Sequence, residues 1–387
     1  MRRANLYAAP WWLLALALCS AAVLAAPSVD LEHPSDHLRV TNYPGGFVGA
    51  DRDSWRDAVP EIEDVSIPSS KGAEAQKALF FDSGSKQEKP LLLVLHSWST
   101  GYLQNIDIPL AEFAKANDWV FMHPNFRGAN DGDPRTTASE LVLSDMQDAL
   151  RYARENANVD ASRIYLMGYS GGAMNALHLA RLHPDVFAGT VVWVPVYDLV
   201  DWYEWNASRG EKYAGEIEGA CGGKPTIDDS AREECSSRSP STYMGEVAGD
   251  IPILIAHGID DQTVPPDYAL RAFSDLAEKG DAIDPALFEQ LRSSRKVPES
   301  LQARHVQDGG LVGWSHKVCT QALLLLLDGL AFPGKGLPAC VIDEPEFPAF
   351  LCQAQVGIVL AQQQPELGTA REHAIRFLRS QRHEIID

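Results

Sequence analysis

The chain has 387 residues, of which 45% are apolar and 22% charged, so it can bury a large core as one enzyme-sized domain. Its formal net charge of −20 repels phosphate backbones and anionic membrane surfaces, so we expect no nucleic-acid partner. The sequence has no repeat with a period of roughly 20 to 50 residues and no Cys/His ligand pattern, which excludes solenoids, propellers and zinc sites.

The amino terminus has the pattern of a secretory signal. Two arginines precede an apolar stretch over residues 11–24, which ends in small residues. The stretch is short for a membrane-spanning helix, so we expect cleavage near Ala25 or Ala26 rather than a retained anchor. We therefore assign residues 1–26 to a signal peptide and expect a secreted protein, extracellular or periplasmic, that is not attached to a membrane.

The first predicted strands of the mature chain lie in an extension over residues 27–89, where two antiparallel edge strands are expected near Val65 and Leu79. The apolar run Leu91–Leu95 then predicts a buried strand, and residues 96–99 predict the loop after it. Strands alternate with helices from there to residue 330, which predicts a mostly parallel, doubly wound sheet.

Residues 164–184 combine the parts of a nucleophile elbow. The apolar run at 164–167 predicts a strand, residues 168–172 (Gly-Tyr-Ser-Gly-Gly) predict a sharp turn, and residues 173–183 predict a helix. The pentapeptide alone is a weak signal, but the strand and the helix beside it are what this mechanism requires. We assign Ser170 as the nucleophile.

An enzyme of this kind also needs two backbone donors for the oxyanion of its tetrahedral intermediate. The first is expected to be the N–H of Gly171, directly after the nucleophile. The second commonly lies in the loop after an early strand, and we assign it to the N–H of Trp98.

A serine hydroxyl needs a base to take its proton and an acid to orient that base. The apolar run at residues 251–256 is followed by two carboxylates, Asp260 and Asp261, at the expected carboxyl end of a strand. Farther along, His316 precedes residues 317–327, which predict a helix. The order Ser170, Asp261, His316 is the chain order of α/β-hydrolase triads.

An insertion over residues 196–245 follows the next predicted strand and is rich in aromatic side chains. Together with Tyr169, which precedes the nucleophile, Trp202, Tyr203 and Trp205 are candidates for stacking on an apolar or sugar-like group of the substrate. The alternative is that these rings pack the insertion onto the sheet. The sequence leaves both interpretations open.

Five cysteines remain after the signal, and the odd number leaves at least one unpaired or bridging chains. Cys221 and Cys235 bracket a loop rich in Gly, Asp and Ser, and we expect them to pair. The pattern does not decide the connectivity of the other three, which are Cys319, Cys340 and Cys352.

The chain resembles the catalytic domain of the prolyl oligopeptidase family of serine hydrolases, and it is also similar to dienelactone hydrolases and several secreted esterases. The resemblance rests on three segments: residues 168–172, residues 257–265 (His-Gly-Ile-Asp-Asp-Gln-Thr-Val-Pro) and residues 124–128 (Pro-Asn-Phe-Arg-Gly). The resemblance covers roughly residues 88 to 330. It implies that the acid lies four positions after His257, which selects Asp261 over Asp260.

Two positions depart from the pattern of that family. We call residues 96–99 the oxyanion loop, and Ser97 stands where the family commonly has Gly in this loop. In addition, two residues separate His316 from the preceding Gly313, whereas the family has the base close to a Gly. His305 is the alternative base.

These observations predict an α/β-hydrolase fold with an aromatic-rich cap, which is the insertion over residues 196–245. The catalytic domain is expected over residues 90–335 and a tail over residues 336–387. The expected function is a serine hydrolase that cleaves a peptide or ester bond through an acyl-enzyme on Ser170, with no metal and no organic cofactor. Oligopeptidases of the resembled family carry a large propeller, which the region before residue 90 is too short to supply. A carboxylesterase for aromatic or carbohydrate esters is therefore the alternative, and a non-catalytic binding protein is the third hypothesis.

Overall fold

The computed structural model describes residues 49–247, 253–259, 261–277, 282–296, 298–301 and 323–327. Several sequence predictions lie outside these ranges: the signal peptide, the tail, and the residues Asp260, His305, His316, Cys319, Cys340 and Cys352.

An eight-stranded sheet forms the centre of the described chain, in the order β1-β2-β4-β3-β5-β6-β7-β8. The first two strands and the β2–β4 pair are antiparallel, and every other pair is parallel. This mostly parallel order with helical crossovers confirms the predicted α/β-hydrolase fold. The strands are β1 (Glu63–Ile67), β2 (Gln76–Phe81), β3 (Lys89–Leu95), β4 (Val120–Pro124), β5 (Val159–Tyr169), β6 (Gly189–Trp193), β7 (Ile253–Gly258) and β8 (Leu323–Leu327).

Helices cover both faces of the sheet, so its central strands are buried on both sides. Every residue of β3 is buried; Leu91, Leu93 and Leu95 pack into one apolar cluster, whereas Leu92 and Val94 pack into the other. A two-sided burial of this kind requires a continuous apolar run instead of an alternating one. The helices are α1 (Arg52–Ala58), α2 (Ile108–Ala116), α3 (Glu140–Asn156), α4 (Gly171–Leu182), α5 (Leu199–Ala207), α6 (Lys212–Cys221), α7 (Asp229–Ser237), α8 (Asp267–Leu276) and α9 (Ala286–Ser294).

The described part of the amino-terminal extension, residues 49–89, contains more structure than the sequence predicts. The antiparallel strands expected near Val65 and Leu79 are β1 and β2. Helix α1 was not predicted; it begins after Asp51, whose carboxylate accepts a hydrogen bond from the N–H of Ser54. Trp55 anchors this short helix, because its ring is fully buried in the second apolar cluster.

The helix predicted over residues 317–327 is wrong for its last five residues. Leu323–Leu327 forms β8, which pairs in parallel with β7 from Leu254 to Gly258. A short run of consecutive apolar residues is compatible with a buried strand as well as a buried helix. The open edge of β7 provides hydrogen-bonding groups for a further strand, and residues 323–327 pair with that edge.

The insertion between β6 and β7 folds into α5, α6 and α7. A disulfide bond joins Cys221, at the end of α6, to Cys235 in α7, as expected from the sequence. Asn206, which begins an Asn-Ala-Ser glycosylation acceptor, is 1% exposed, and its side-chain amide donates a hydrogen bond to the carbonyl of Trp202. A glycan on this nitrogen is incompatible with that packing. None of the helices in the described ranges has the length and apolar character needed to cross a membrane.

Candidate active site

Ser170 occupies a sharp turn between β5 and α4. Its backbone has φ 56° and ψ −123°, a conformation that residues with a Cβ rarely adopt. The N–H of Ser170 donates to the carbonyl of Trp193 at the end of β6, and its own carbonyl accepts from Met174 in the first turn of α4. The serine therefore lies at the carboxyl edge of the sheet, partly exposed, in the strained turn expected of a nucleophile elbow.

The glycines after Ser170 allow α4 to begin directly against β3. A Cβ added to Gly172 would lie 2.6 Å from the carbonyl oxygen of His96. A Cβ added to Gly171 would lie 2.9 Å from the backbone nitrogen of Trp98. The turn therefore requires glycine at both positions because the oxyanion loop packs on them.

This close packing places the two predicted oxyanion donors side by side. The backbone of Trp98 lies against that of Gly171, and the carbonyl of Trp98 is held by the N–H of Asn130 at 2.7 Å. Oxyanion stabilisation needs two backbone N–H groups near the nucleophile, and the contact between the backbones of Trp98 and Gly171, next to Ser170, fits this requirement.

A buried glutamine, Gln104, holds the oxyanion loop by hydrogen bonds. The side-chain oxygen of Gln104 accepts hydrogen bonds from the N–H and the hydroxyl of Ser97, at 3.0 and 3.1 Å, and from the hydroxyl of Thr100. Its amide nitrogen lies 3.3 Å from the hydroxyl of Tyr169. Tyr169 was a candidate for substrate contact, but its ring is 1% exposed and packs in the second apolar cluster. Its hydroxyl instead connects the elbow to Gln104.

His96 begins the same loop as a neutral structural group. Its ring is buried, stacks on Phe126 with the ring centroids 3.9 Å apart, and lies within hydrogen-bond distance of the carbonyls of Ser97 and Asn125. Burial lowers the pKa of His96 to about 4. This histidine is therefore uncharged near neutral pH and serves to join the oxyanion loop to the Asn125 loop.

The nearby Arg127 organises the loop that follows β4. Its guanidinium donates two hydrogen bonds to the carboxylate of Asp145 in α3, at 2.6 and 3.1 Å, and a third to the hydroxyl of Ser69. All of these partners belong to the protein, so Arg127 holds the loop in place rather than facing a ligand.

Asp261 lies in the turn after β7 and is fully buried. One carboxylate oxygen, Oδ1, accepts hydrogen bonds from the N–H groups of Thr263 and Val264, at 2.7 and 3.0 Å. Within the described residues, the other oxygen, Oδ2, has no hydrogen-bond partner. Burial raises the pKa of Asp261 to about 6, against the opposing effect of the two N–H donors. The carboxylate is thus fixed in orientation and keeps one oxygen for a further donor.

His257 does not supply that donor. Its Nε2 atom lies 3.8 Å from Oδ2 of Asp261, which is too far for a hydrogen bond, and 3.2 Å from the carbonyl of Val264. Burial lowers the pKa of His257 to about 3, so the ring is neutral. The assignment of the base to His316, with His305 as the alternative, remains a prediction because both lie outside the described residues.

Ser170 and the predicted acid, Asp261, lie near each other at the carboxyl edge of the sheet. β6 separates β5 from β7, so the ends of these two strands are roughly 10 Å apart. Asp261 follows β7 by three residues, and Ser170 follows β5 directly. An imidazole that hydrogen-bonds to both side chains fits a separation of this size.

The aromatic residues of the cap are mostly packed against protein. Trp202 is completely buried; its ring lies 4.8 Å from that of Trp98, and its indole N–H donates to the carbonyl of Thr263. Tyr203 is 5% exposed and donates to Glu218. These positions favour the packing interpretation over direct stacking on a substrate.

Trp205 is the member of this group that reaches the surface. Its ring is partly exposed, and its indole N–H donates to the carbonyl of Gln262, beside the acid. Three arginine guanidinium groups lie over the ring, Arg209 at 4.4 Å, Arg295 at 5.4 Å and Arg292 at 5.7 Å from its centroid. Trp205 therefore combines an exposed face with a direct link to the acid turn.

A sequence comparison finds that the middle of the chain is similar to a known family. Residues 113–292 match the model described as "Prolyl oligopeptidase family". A rice (Oryza sativa subsp. japonica) protein, acylamino-acid-releasing enzyme 2, is 24% identical over 257 residues, which covers 61% of this chain and 32% of the rice protein.

Two solved structures of prokaryotic peptidases align with part of the chain. An acylaminoacyl peptidase from Pyrococcus horikoshii aligns with a TM-score of 0.46 and 17% identity, over 56% of this chain and 34% of the other. A puromycin-hydrolyzing peptidase from Mycobacterium tuberculosis aligns with a TM-score of 0.48 and 16% identity, over 70% of this chain and 37% of the other. The chain thus spans about a third of the length of the relatives it matches.

Proposed function

We propose that this chain is a serine peptidase that cleaves its substrate through an acyl-enzyme on Ser170, a proposal supported by the match of residues 113–292 to the model described as "Prolyl oligopeptidase family". The observation that carries the proposal is the elbow itself. A partly exposed serine sits in a strained turn at the sheet edge, with the backbone of an oxyanion loop packed against the next residue.

In the proposed reaction, His316 takes the proton of Ser170 as the hydroxyl oxygen attacks the substrate carbonyl. The N–H groups of Gly171 and Trp98 bind the oxyanion, and the imidazolium gives its proton to the leaving amine. Water then attacks the acyl-enzyme with the same histidine as base, which releases the acyl group and restores Ser170.

The described environment of Asp261 supports its role in this scheme. Two backbone N–H groups hold Oδ1, and the neighbouring Oδ2 is buried and accepts no hydrogen bond from the described residues. An acid member of a triad needs a fixed carboxylate with one oxygen directed at the base. An N–H of His316 completes the hydrogen bonding of Asp261, holds the imidazole in the required tautomer and stabilises the imidazolium.

The proposal includes export from the cytoplasm. It is supported by the signal-like residues 1–26 and by the Cys221–Cys235 disulfide, since disulfides persist in oxidising compartments. This part is tested by comparing the size of the secreted wild-type protein with the product of a variant in which two arginines interrupt the apolar stretch at residues 11–24. Retention of the wild-type protein inside the cell would contradict it.

The first experiment is labelling of the purified protein with a fluorophosphonate, which reacts with activated serines. We expect one label on Ser170 and no label on Ser170→Ala. Folded wild-type protein that takes up no label would refute the peptidase proposal. His316→Ala is expected to lose labelling, and loss in His305→Ala instead would transfer the role of base to His305.

The second experiment compares an acyl p-nitroanilide with the matching p-nitrophenyl ester. Turnover of both, abolished in Ser170→Ala, is the result expected of a peptidase, because an enzyme that expels an amine also expels the better phenolate leaving group. Turnover of the ester alone would assign the chain to the carboxylesterases instead.

A further inference from the structure

We propose that Glu216 in the cap is a positioning residue for the oxyanion hole, which it controls by holding the indole of Trp98. The inference rests on the proposed function and specifies how the cap takes part in it. The cap then acts on catalysis through the protein's own backbone and not through contact with substrate.

The primary evidence is a hydrogen bond that joins the cap to the oxyanion loop. The indole N–H of Trp98 donates to Oε2 of Glu216 in α6 at 2.7 Å. The other carboxylate oxygen accepts from Lys212, whose ammonium also donates to the hydroxyl of Ser99 at 2.9 Å. Two consecutive residues of the loop are therefore attached to one turn of α6.

Aromatic packing also restricts the rotation of the Trp98 indole. The ring of Trp98 is 2% exposed and meets the rings of Trp202 and Tyr213 edge-on, with centroids 4.8 and 6.4 Å away. A side chain enclosed in this way cannot rotate without disturbing its neighbours. The position of the Trp98 backbone N–H is therefore tied to α5 and α6.

The connection continues from the cap to the acid. Trp202, which packs on Trp98, donates its indole N–H to the carbonyl of Thr263 at 2.9 Å. The N–H of Thr263 donates to Oδ1 of Asp261. One helix of the cap thus contacts both the oxyanion loop and the turn that orients the acid.

Loss of the Glu216 carboxylate leaves the buried indole N–H of Trp98 without its acceptor. The loop is then expected to shift until the indole finds water or another acceptor, since an unpaired buried donor is unfavourable. Oxyanion donors act only when they are correctly placed, and loss of one donor lowers kcat by about 10²- to 10³-fold. A partly displaced donor should cost on the order of 10-fold or more.

The chain offers a matched control in the same two helices. Tyr203 of α5 donates to Glu218 of α6 at 2.8 Å, so this pair also links an aromatic residue to a glutamate. In the described structure neither residue contacts residues 97–99 by a hydrogen bond. Glu218→Ala therefore removes a comparable cap contact without touching the oxyanion loop.

The experiment measures kcat and KM with the p-nitrophenyl ester for the wild type, Glu216→Ala, Glu216→Gln and Glu218→Ala. It also measures the inhibition constant of a trifluoromethyl ketone, which binds the serine as a tetrahedral oxyanion. We expect Glu216→Ala to lower kcat at least about 10-fold with little change in KM, and to raise the inhibition constant of the ketone by the same factor. Glu218→Ala should keep the wild-type kcat and the wild-type inhibition constant. Glu216→Gln, which keeps an acceptor oxygen, should recover most of the lost kcat.

A merely structural role gives a different pattern. The proposal is overturned if Glu216→Ala and Glu218→Ala lower kcat equally. It is also overturned if Glu216→Ala lowers kcat while the inhibition constant of the ketone stays unchanged. Should Glu216→Ala fail to fold, Trp98→Phe removes the same hydrogen bond from the other side and must show the same fall in kcat. A wild-type protein that neither turns over the ester nor reacts with the fluorophosphonate would instead refute the proposed peptidase function.

Discussion

Replacement of Asp261 by asparagine is expected to stabilise the protein while removing its activity. Burial raises the pKa of this carboxyl group from 3.8 to about 6. Below pH 3.8 the group is protonated in the folded and the unfolded chain, so it does not affect their balance. As the pH rises, the unfolded chain releases the proton first, and folding stability declines until the folded carboxyl also ionises near pH 6.

The size of the effect follows from this difference in pKa. One pKa unit corresponds to about 1.4 kcal/mol, so the ionised carboxylate lowers the free energy of unfolding by about 3 kcal/mol above pH 6. Asparagine keeps an oxygen for the N–H groups of Thr263 and Val264 but carries no charge. Asp261→Asn should therefore match the wild type at pH 4 and exceed it by up to about 3 kcal/mol at pH 8. A hydrogen bond from His316 to Oδ2 reduces this gain.

The assay is urea denaturation of the wild type and Asp261→Asn at pH 4 and pH 8, together with ester turnover. We expect kcat to fall by about 10⁴-fold, as when the acid of a triad is neutralised. The control is Asp145→Asn, which breaks the buried pair with Arg127 and should cost roughly 3 to 5 kcal/mol at pH 8. If Asp261→Asn were also less stable than the wild type at pH 8, favourable interactions of the carboxylate, such as its attraction to the positive charge of Arg295, would outweigh the cost of its burial and the reasoning would fail.

Three further changes test the elbow and the cap. Ser170→Gly should raise the free energy of unfolding by about 1 kcal/mol, because glycine accepts the positive φ, whereas Ser170→Ala should not; equal stability in urea would mean the turn is unstrained. Gly172→Ala should reduce the melting temperature sharply, because its Cβ meets the carbonyl oxygen of His96 at 2.6 Å, and an unchanged value would contradict this close approach. Cys221→Ser combined with Cys235→Ser should cost about 3 kcal/mol, the value for a loop of this length, and no loss would show that the bond is dispensable.

The elbow was predictable because its parts are contiguous in the chain. The strand, the glycine turn and the helix around Ser170 follow one another within about 20 residues, and each leaves a local pattern. The close approach of Gly171 and Gly172 to the oxyanion loop explains why that pattern contains glycines. The assignment of Asp261 to the end of β7 likewise required only a strand and the residues after it.

The bracing of the oxyanion loop was not predictable, since it joins residues far apart in the sequence. Trp98 and Glu216 are separated by 118 positions, and Trp202 and Thr263 by 61. A glutamate on an amphipathic helix has the same local pattern whether it faces water or an indole. Gln104, which holds the loop from behind, was missed for the same reason, because no motif distinguishes it from a surface glutamine.

Aromatic composition also failed to separate substrate contacts from packing. Trp202 and Tyr203 lie in the insertion where a binding surface was expected, yet both are buried. Large rings stabilise cores and binding sites by the same removal of apolar surface from water. Which of the two occurs depends on the neighbours that folding supplies, here Trp98 and Tyr213.

The indole-to-glutamate bond at Trp98 has a consequence for how such an enzyme changes over time. A cap inserted between two strands resembles an exchangeable accessory, whose replacement is one route to new substrates. In this protein such a replacement would also remove the acceptor of Trp98 and the ring that packs on it. New caps are therefore compatible with catalysis only when the oxyanion loop changes with them, so substitutions at positions 98, 202 and 216 are expected to occur together among descendants of this sequence.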